Sequence, residues 1–166
     1  AIRTGKIDLI TGIAWEQAAT MSRSDPNLMQ AALPIGGPSA EMRVDTPPFT
    51  DIRVRKALNM AIDRKALNTG IYGGTATGIP CGYVSAAAKG YSFAYEDWPQ
   101  ELKDEYSYNP DKARQLLTEA GYANGFKINI ITNATGTQLD VMQAIKAYFW
   151  DVGVDMEIKV YAGPAW

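Results

Sequence analysis

The sequence contains no histidine and a single cysteine, Cys81. Without histidine the chain lacks the commonest general base and a common ligand of metal ions. One thiol cannot form an internal disulfide bond, and we interpret Cys81 as a small apolar residue rather than a nucleophile. The sequence also lacks a Walker loop, a dinucleotide-binding glycine pattern and a Gly-x-Ser-x-Gly turn. We therefore expect no catalytic residue, no metal site and no cofactor.

The chain also lacks a clustered excess of positive charge, because 16 Lys and Arg residues face 18 Asp and Glu residues and the net charge is -2. A surface that binds nucleic acid needs such an excess, so we expect no nucleic-acid partner. No apolar run is long enough to cross a bilayer, and the first residues do not have the pattern of an export signal. The 166 residues are enough to bury the core of one compact domain.

The most informative stretch is PPFTDIRVRKALNMAIDR, at residues 47–64. Asp51 can accept hydrogen bonds from the free amides of a first helical turn, and apolar residues follow at helical spacing. Asp63 offers a second cap, and the helix after it runs towards Gly73. The basic residues in this region alternate with acidic ones, so we expect a solvated face with local ion pairs; they are Arg53, Arg55, Lys56, Arg64 and Lys65.

The last third of the chain predicts a helix, a strand, a second helix and a second strand. The first helix begins after Asn109, with proline at its first position, and ends at Gly121. A strand is expected at residues 127–132, a helix at 138–151 and a strand at 154–161. A strand, a helix and a strand in so short a stretch indicate a parallel pair. Apolar and polar residues alternate in the last strand, so one of its faces should contact solvent.

The remaining parts of the sequence are less regular. We predict short strands at residues 6–13 and 28–33, with a helix at 15–23 between them. Residues 73–108 show no persistent period, yet they carry Tyr83, Tyr91, Phe93, Tyr95, Trp98, Tyr106 and Tyr108. We expect most of these rings to hold an irregular segment against the body of the protein. Tyr83, beside the Gly-Ile-Pro-Cys-Gly turn, is the ring that we place at a ligand cleft.

Three stretches resemble the family 5 extracellular solute-binding proteins, the peptide- and nickel-binding components of ABC importers. They are PPFTDIRVRKALNMAIDR, then YNPDKARQLLTEAGYANGFKINI at residues 108–130, and more weakly AIRTGKIDLITGI at the start. The resemblance implies an α/β fold like that of the type II periplasmic binding proteins, with a small parallel or mixed sheet flanked by helices. Members of the family are several hundred residues long and have two lobes. Residues 1–38 would then form the tail of the first lobe and the crossover, and residues 39–166 the first part of the second lobe.

A candidate binding site lies between the first predicted strand and the next helix, in Asn133-Ala134-Thr135-Gly136-Thr137-Gln138. In open parallel sheets, ligands bind outside the carboxyl ends of the strands, beside helix amino termini. Asn133, Thr135 and Gln138 carry neutral polar groups that suit the orientation of a ligand, and the resemblance implies that Asn133 and Gln138 face the cleft. The same loop also fits an ordinary helix start capped by Thr135 or Thr137.

The resemblance implies a function without catalysis, namely the capture of an oligopeptide or a similar small solute between two lobes. The partners would be ABC permease subunits, the location periplasmic or extracellular, and the protein a monomer. An export signal and any lipid anchor would lie upstream of residue 1. The charged residues that hold peptide termini in the family would follow residue 166, so we expect these residues alone to hold a ligand weakly.

Two alternatives to this function remain open from the sequence. Some transcription regulators carry a similar solute-binding module as a sensor. An enzyme of an unrecognised type would have to use the polar loop at residues 133–138 and the aromatic-rich segment.

Overall fold

The computed structural model describes residues 2–31, 39–76, 78–80, 84, 88, 90–133 and 137–161. The α-helices and β-strands follow one another as α1 (Trp15–Ser24), α2 (Ile52–Met60), α3 (Arg64–Tyr72), α4 (Gln100–Tyr106), α5 (Pro110–Glu119), β1 (Phe126–Asn133), α6 (Gln138–Asp151) and β2 (Val154–Tyr161). Single 3-10 turns lie at Ile2–Thr4 and Tyr95–Asp97. Within these ranges no helix has both the length and the apolar character needed to cross a membrane.

The two strands form a parallel pair, which confirms the prediction for the last third of the chain. Phe126 is in register with Val154 and Asn133 with Tyr161. A glycine with positive φ precedes each strand, Gly125 at 75° and Gly153 at 88°. A Cβ atom on Gly125 would lie 2.1 Å from the carbonyl oxygen of Gly153. The strands therefore begin at a point where the two backbones leave no room for a side chain.

Helix α6 packs against both strands and buries one face of the sheet. The helix contributes Val141, Met142, Ile145 and Phe149 to the core. The sheet contributes Val154, Met156 and Thr132 to the buried residues, whereas the other residues of β1 and β2 are partly or fully exposed. The predicted solvent-facing side of the last strand is confirmed.

Helices α2 and α5 pack against each other and complete the core. Val54, Ala57, Leu58 and Met60 of α2 are buried, as are Ala113 and Leu117 of α5. The predicted caps are confirmed: Asp51 Oδ1 accepts from the Arg53 amide at 2.8 Å and Asp63 Oδ1 from the Ala66 amide at 2.9 Å. At the start of α5, Asn109 Oδ1 accepts from the Lys112 amide at 3.0 Å.

The backbone joins the end of α2 directly to the start of α5. The amide of Asn109 donates to the carbonyl oxygen of Met60 at 2.8 Å, although 48 residues separate the two in the sequence. The stretch 61–108 therefore begins and ends at neighbouring points of the fold.

Helix α4 corrects the prediction that residues 73–108 have no regular structure. With seven residues it is too short for an apolar period to be visible in the sequence. It is held by its surroundings: the ring of Trp98 lies 5.4 Å from those of Tyr95 and Tyr106, and Lys103 Nζ donates to the carbonyl oxygen of Glu96. The predicted anchoring is confirmed for these rings, whereas Tyr91 and Phe93 are more than 80% exposed.

The strands predicted near the amino terminus are wrong. Residues 6–13 form no strand, and neither do residues 28–31, while residues 32 and 33 lie outside the described residues. A strand forms only where another strand accepts its hydrogen bonds, and these two short segments do not pair with each other. The helix predicted between them is confirmed as α1, which has no buried residue.

Candidate functional site

The candidate site lies at the carboxyl edge of the two-stranded sheet. Strand β1 ends at Asn133 and β2 at Tyr161, and these two residues are partners in the register. Helix α6 begins at Gln138 near the same edge, behind Thr137, whose side chain makes no capping hydrogen bond. The structure thus brings the ends of both strands and the start of one helix to one place. Thr135 lies outside the described residues, so its predicted role stays a prediction.

Asn133 and Tyr161 lie on the sheet face that points away from the core. Asn133 is exposed, and Tyr161 is 46% exposed. The preceding residue Thr132 points inward, is buried, and its hydroxyl donates to the carbonyl oxygen of Asn133 at 3.3 Å. Asn133 therefore follows a core residue and is itself at the surface.

On the inward face of β2, exposure increases from the amino end to the carboxyl end. Val154 and Met156, at the beginning of β2, are at most 1% exposed, whereas Val160 is 47% exposed. In β1, by contrast, Ile131 lies on the outward face and is 49% exposed, whereas Thr132 beside it points inward and is buried. Half-exposed apolar groups beside a few oriented polar ones are the composition typical of small-molecule sites.

The sequence reasoning identified Asn133 and Gln138 but missed Tyr161. The available signal was the predicted parallel pair, because strands of similar length in parallel register end at the same edge. The residue that closes the second strand therefore had to lie beside the residue that closes the first. The other predicted contact, Tyr83, lies outside the described residues.

The basic cluster of α2 and α3 has a structural explanation that does not involve a ligand. Arg53 pairs with Asp51 at 2.6 Å, and this hydrogen-bonded pairing is the main cause that lowers the Asp51 pKa. Lys56 pairs with Glu105 of α4. The expected local ion pair is confirmed for Arg53, whereas the partner of Lys56 is distant in the sequence and ties α4 to α2.

Arg64 departs from that expectation, because it is partly buried and this burial lowers its pKa. It donates to the carbonyl oxygen of Tyr106 at 3.3 Å and to Asn59, and it lies over the Tyr106 ring at 5.7 Å. The Asn59 amide in turn donates to the carbonyl oxygen of Glu105 at 2.7 Å. Arg64 and Asn59 thus bind the unpaired carbonyl groups at the end of α4.

A concave feature lies in the amino-terminal region of the described chain. It is an open groove of about 380 Å³ lined by Arg3, Glu16, Gln17, Thr20 and Met21. The Arg3 guanidinium donates a hydrogen bond to the Ser24 hydroxyl at 2.5 Å. Across the described part of the chain no group of His, Cys, Asp or Glu side chains could hold a metal ion. The sheet edge stays the candidate site, on the argument that ligands bind outside the carboxyl ends of parallel strands.

Solved structures that match this chain indicate the class of protein to which its fold belongs. MoaA from A. tumefacien R10, in complex with mannopinic acid, matches the whole chain with a TM-score of 0.69 and 22% identity, which shows the fold; the chain covers 32% of it. DppA from Helicobacter pylori, a periplasmic binding protein in complex with the peptide STSA, matches 72% of the chain with a TM-score of 0.61 and 30% identity; 22% of that protein is covered. The expected α/β fold of type II periplasmic binding proteins is confirmed.

The family follows from the sequence comparison. The profile described as bacterial extracellular solute-binding proteins, family 5 Middle, matches residues 1–166, and the chain belongs to this family. The glutathione-binding protein GsiB of Escherichia coli strain K12 is 32% identical over 158 residues, which is 95% of this chain. The chain spans 29% of the length of that relative. These relatives are binding proteins rather than enzymes.

Proposed function

We propose that the chain is the middle part of the solute-binding component of an ABC importer, and that its solute is an oligopeptide or a small peptide-like molecule. The observation that carries this proposal is the match of the family profile to every residue of the chain. Two relatives favour a peptide, since one is named for glutathione and another was solved with the peptide STSA. The sheet edge at Asn133 and Tyr161 supplies a surface on which such a solute can bind.

The proposed division into lobes places residues 1–38 in the tail of the first lobe and residues 39–166 in the second. It is supported by the packing, since all buried core residues in the described part of the chain lie from Val54 to Met156. Helix α1 buries no residue, although it is as long as α5, which buries two. This sparse packing of α1 supports the assignment of the amino-terminal region to the first lobe.

The residues proposed for the site have distinct roles. The amide groups of Asn133 and Gln138 both donate and accept hydrogen bonds, which matches the peptide group of a solute. The ring of Tyr161 offers a flat apolar surface with a polar end, as binding sites commonly use. Thr135 and Tyr83 complete the proposed set. We assign no residue a catalytic role, because binding needs no bond to be made or broken.

The proposed mechanism is closure of two lobes over the solute. Closure removes water from the solute, and the polar groups of the site replace the hydrogen bonds that water had supplied. The closed form is then the one that the permease subunits in the membrane recognise. The protein would act as a monomer in the periplasm or outside the cell.

Isothermal titration calorimetry with the full-length protein that carries this chain tests the proposal. Glutathione and the peptide STSA serve as probes, and we expect at least one to bind at micromolar concentration or below. Asn133→Ala should weaken that binding about tenfold, since a hydrogen bond to a solute contributes roughly 1 to 1.5 kcal/mol. Asn129→Ala is the matched control, because Asn129 lies on the same strand face, four residues from the edge, and is also exposed.

Three results would contradict the proposal. The absence of binding by both probes would refute the peptide class of solute. Equal losses in Asn133→Ala and Asn129→Ala would refute the location of the site at the sheet edge. Submicromolar binding by the 166 residues alone would refute the need for a second lobe.

A further inference from the structure

Trp15, the first residue of α1, reaches the carboxyl-terminal end of α3. Its indole Nε1 donates to the carbonyl oxygen of Ile71 at 3.0 Å. That oxygen lies in the last turn of α3, where carbonyl groups have no partner within the helix. The end of α3 satisfies another such group internally, since the Gly74 amide donates to the carbonyl oxygen of Asn68 at 3.0 Å. The indole thus supplies a donor that the helix itself does not provide.

The ring of Trp15 also lies directly on the backbone of Gly73. A Cβ atom at position 73 would lie 2.5 Å from two carbons of the ring, closer than atoms can approach. Gly73 ends α3 in the left-handed conformation, with φ of 56°. The next residue, Gly74, has φ of 76°, but a Cβ atom there would meet nothing within 4 Å. Two adjacent glycines therefore share a backbone conformation, and only the first is also required for contact with the ring.

These two contacts attach a helix that has few other means of attachment. Helix α1 buries no residue, and Ala14 at its amino terminus offers no side-chain cap. Its ring contact and indole hydrogen bond both come from Trp15, and both end on the last turn of α3. The placement of α1 on the body is consequently sensitive to one side chain.

We propose that Trp15 is a latch between the two lobes. The inference rests on the proposed function, in which α1 belongs to the first lobe and α3 to the second. A contact that spans two lobes forms only while the lobes are close, so it adds to the stability of the closed arrangement and is lost on opening. The latch uses no ligand atom and therefore sets how much of the ligand-free protein is closed.

Hydrogen–deuterium exchange on the 166-residue chain tests the contact itself. Trp15→Ala should raise the exchange rates of the α1 amides about tenfold, since it removes a hydrogen bond and the buried area of the ring. Gly73→Asn should do the same, because asparagine tolerates the left-handed conformation but its Cβ displaces the ring. Gly74→Asn is the matched control and should leave α1 unchanged. Exchange in α2, α5 and α6 reports whether each variant keeps its fold.

Small-angle scattering on the ligand-free full-length protein tests the role between lobes. Trp15→Phe, which keeps a ring but loses the donor, and Gly73→Asn should both increase the radius of gyration, while Gly74→Asn should not. Unchanged α1 exchange in Trp15→Ala and Gly73→Asn would refute the contact. Faster α1 exchange with an unchanged radius of gyration would refute the latch. Neither measurement needs a solute, so the latch and the proposed peptide binding can fail separately.

Discussion

Helices α1 and α5 have ten residues each but occupy very different positions in the protein. Helix α5 is capped by Asn109, packs against α2 and buries Ala113 and Leu117. Helix α1 has no side-chain cap and buries no residue. Local sequence is therefore sufficient to form a helix. Burial of that helix depends on whether other elements of the chain pack against it. The body at residues 39–161 supplies those partners for α5.

The largest expected effect separates the core from the amino-terminal region. Leu117→Ala should lower the free energy of unfolding by about 2 to 5 kcal/mol, because Leu117 is 1% exposed and its loss leaves a cavity. Leu9→Ala removes the same atoms from a residue that is 78% exposed and should change stability by less than about 0.5 kcal/mol. Urea denaturation followed by circular dichroism measures both. Similar losses in the two variants would show that residues 2–31 belong to the same cooperative unit.

The next effect concerns glycines with positive φ in the two regions. Gly125→Ala should cost about 2 to 4 kcal/mol, because it adds left-handed strain and pushes a Cβ atom into the Gly153 carbonyl oxygen. Gly12→Ala, with φ of 69° and open space around it, should leave the unfolding of the body unchanged. The same denaturation experiment checks this. A tolerated Gly125→Ala would mean that the start of the parallel pair is not fixed by close backbone approach.

Helix caps allow the difference between the two regions to be tested by removing a cap from α3 and by adding one to α1. Asp63→Ala should lower stability by about 1 kcal/mol, because the Ala66 amide loses its acceptor. Ala14→Asp should supply α1 with the cap that it lacks and slow the exchange of its amides severalfold, with no change in the unfolding of the body. Exchange measurements resolved by helix are the readout. Slower exchange throughout the body in Ala14→Asp would contradict the separation of the two regions.

The smallest effect is a pH dependence at the start of the body. The Arg43 guanidinium, 2.7 Å from Asp45, lowers the pKa of that carboxyl to about 2. Because the pKa is lowered on folding, the contribution of the pair is present above the ordinary carboxyl pKa of 3.8 and is lost as pH falls towards 2. Both groups are exposed, so the effect on unfolding should be barely measurable. A titration of Asp45 by NMR should return to the ordinary range in Arg43→Gln, and an unchanged titration would exclude Arg43 as the cause.

The body could be predicted from the sequence because its signals are local. Asp51, Asp63 and Asn109 mark helix starts by their own hydrogen-bonding chemistry, and Gly73 and Gly121 mark ends by their backbone freedom. The bounds of α6 and β2 were predicted to the residue, and those of β1 within one residue at each end. These features need no knowledge of distant parts of the chain.

Helix α4, the absence of the two amino-terminal strands and the position of Tyr161 could not be predicted from local sequence, because they depend on tertiary contacts. Helix α4 is held by Asn59 and Arg64, which lie more than 40 residues away in the sequence. The strands predicted at residues 6–13 and 28–33 had a suitable pattern, but a pattern does not supply a pairing partner. At the candidate site, the sequence indicated Asn133 and Gln138 by their loop, whereas finding Tyr161 also required the pairing of β1 with β2.

The hydrogen bond between the Asn109 amide and the Met60 carbonyl oxygen has a consequence for variation in length. Since residues 61–108 start and finish side by side, lengthening this excursion adds only a slowly growing entropy of loop closure. Insertions there, away from α3 and α4, leave the pairing of α2 with α5 in place. We therefore expect residues 61–108 to accept a grafted segment, such as an epitope or a reporter domain, without loss of the contact between α2 and α5.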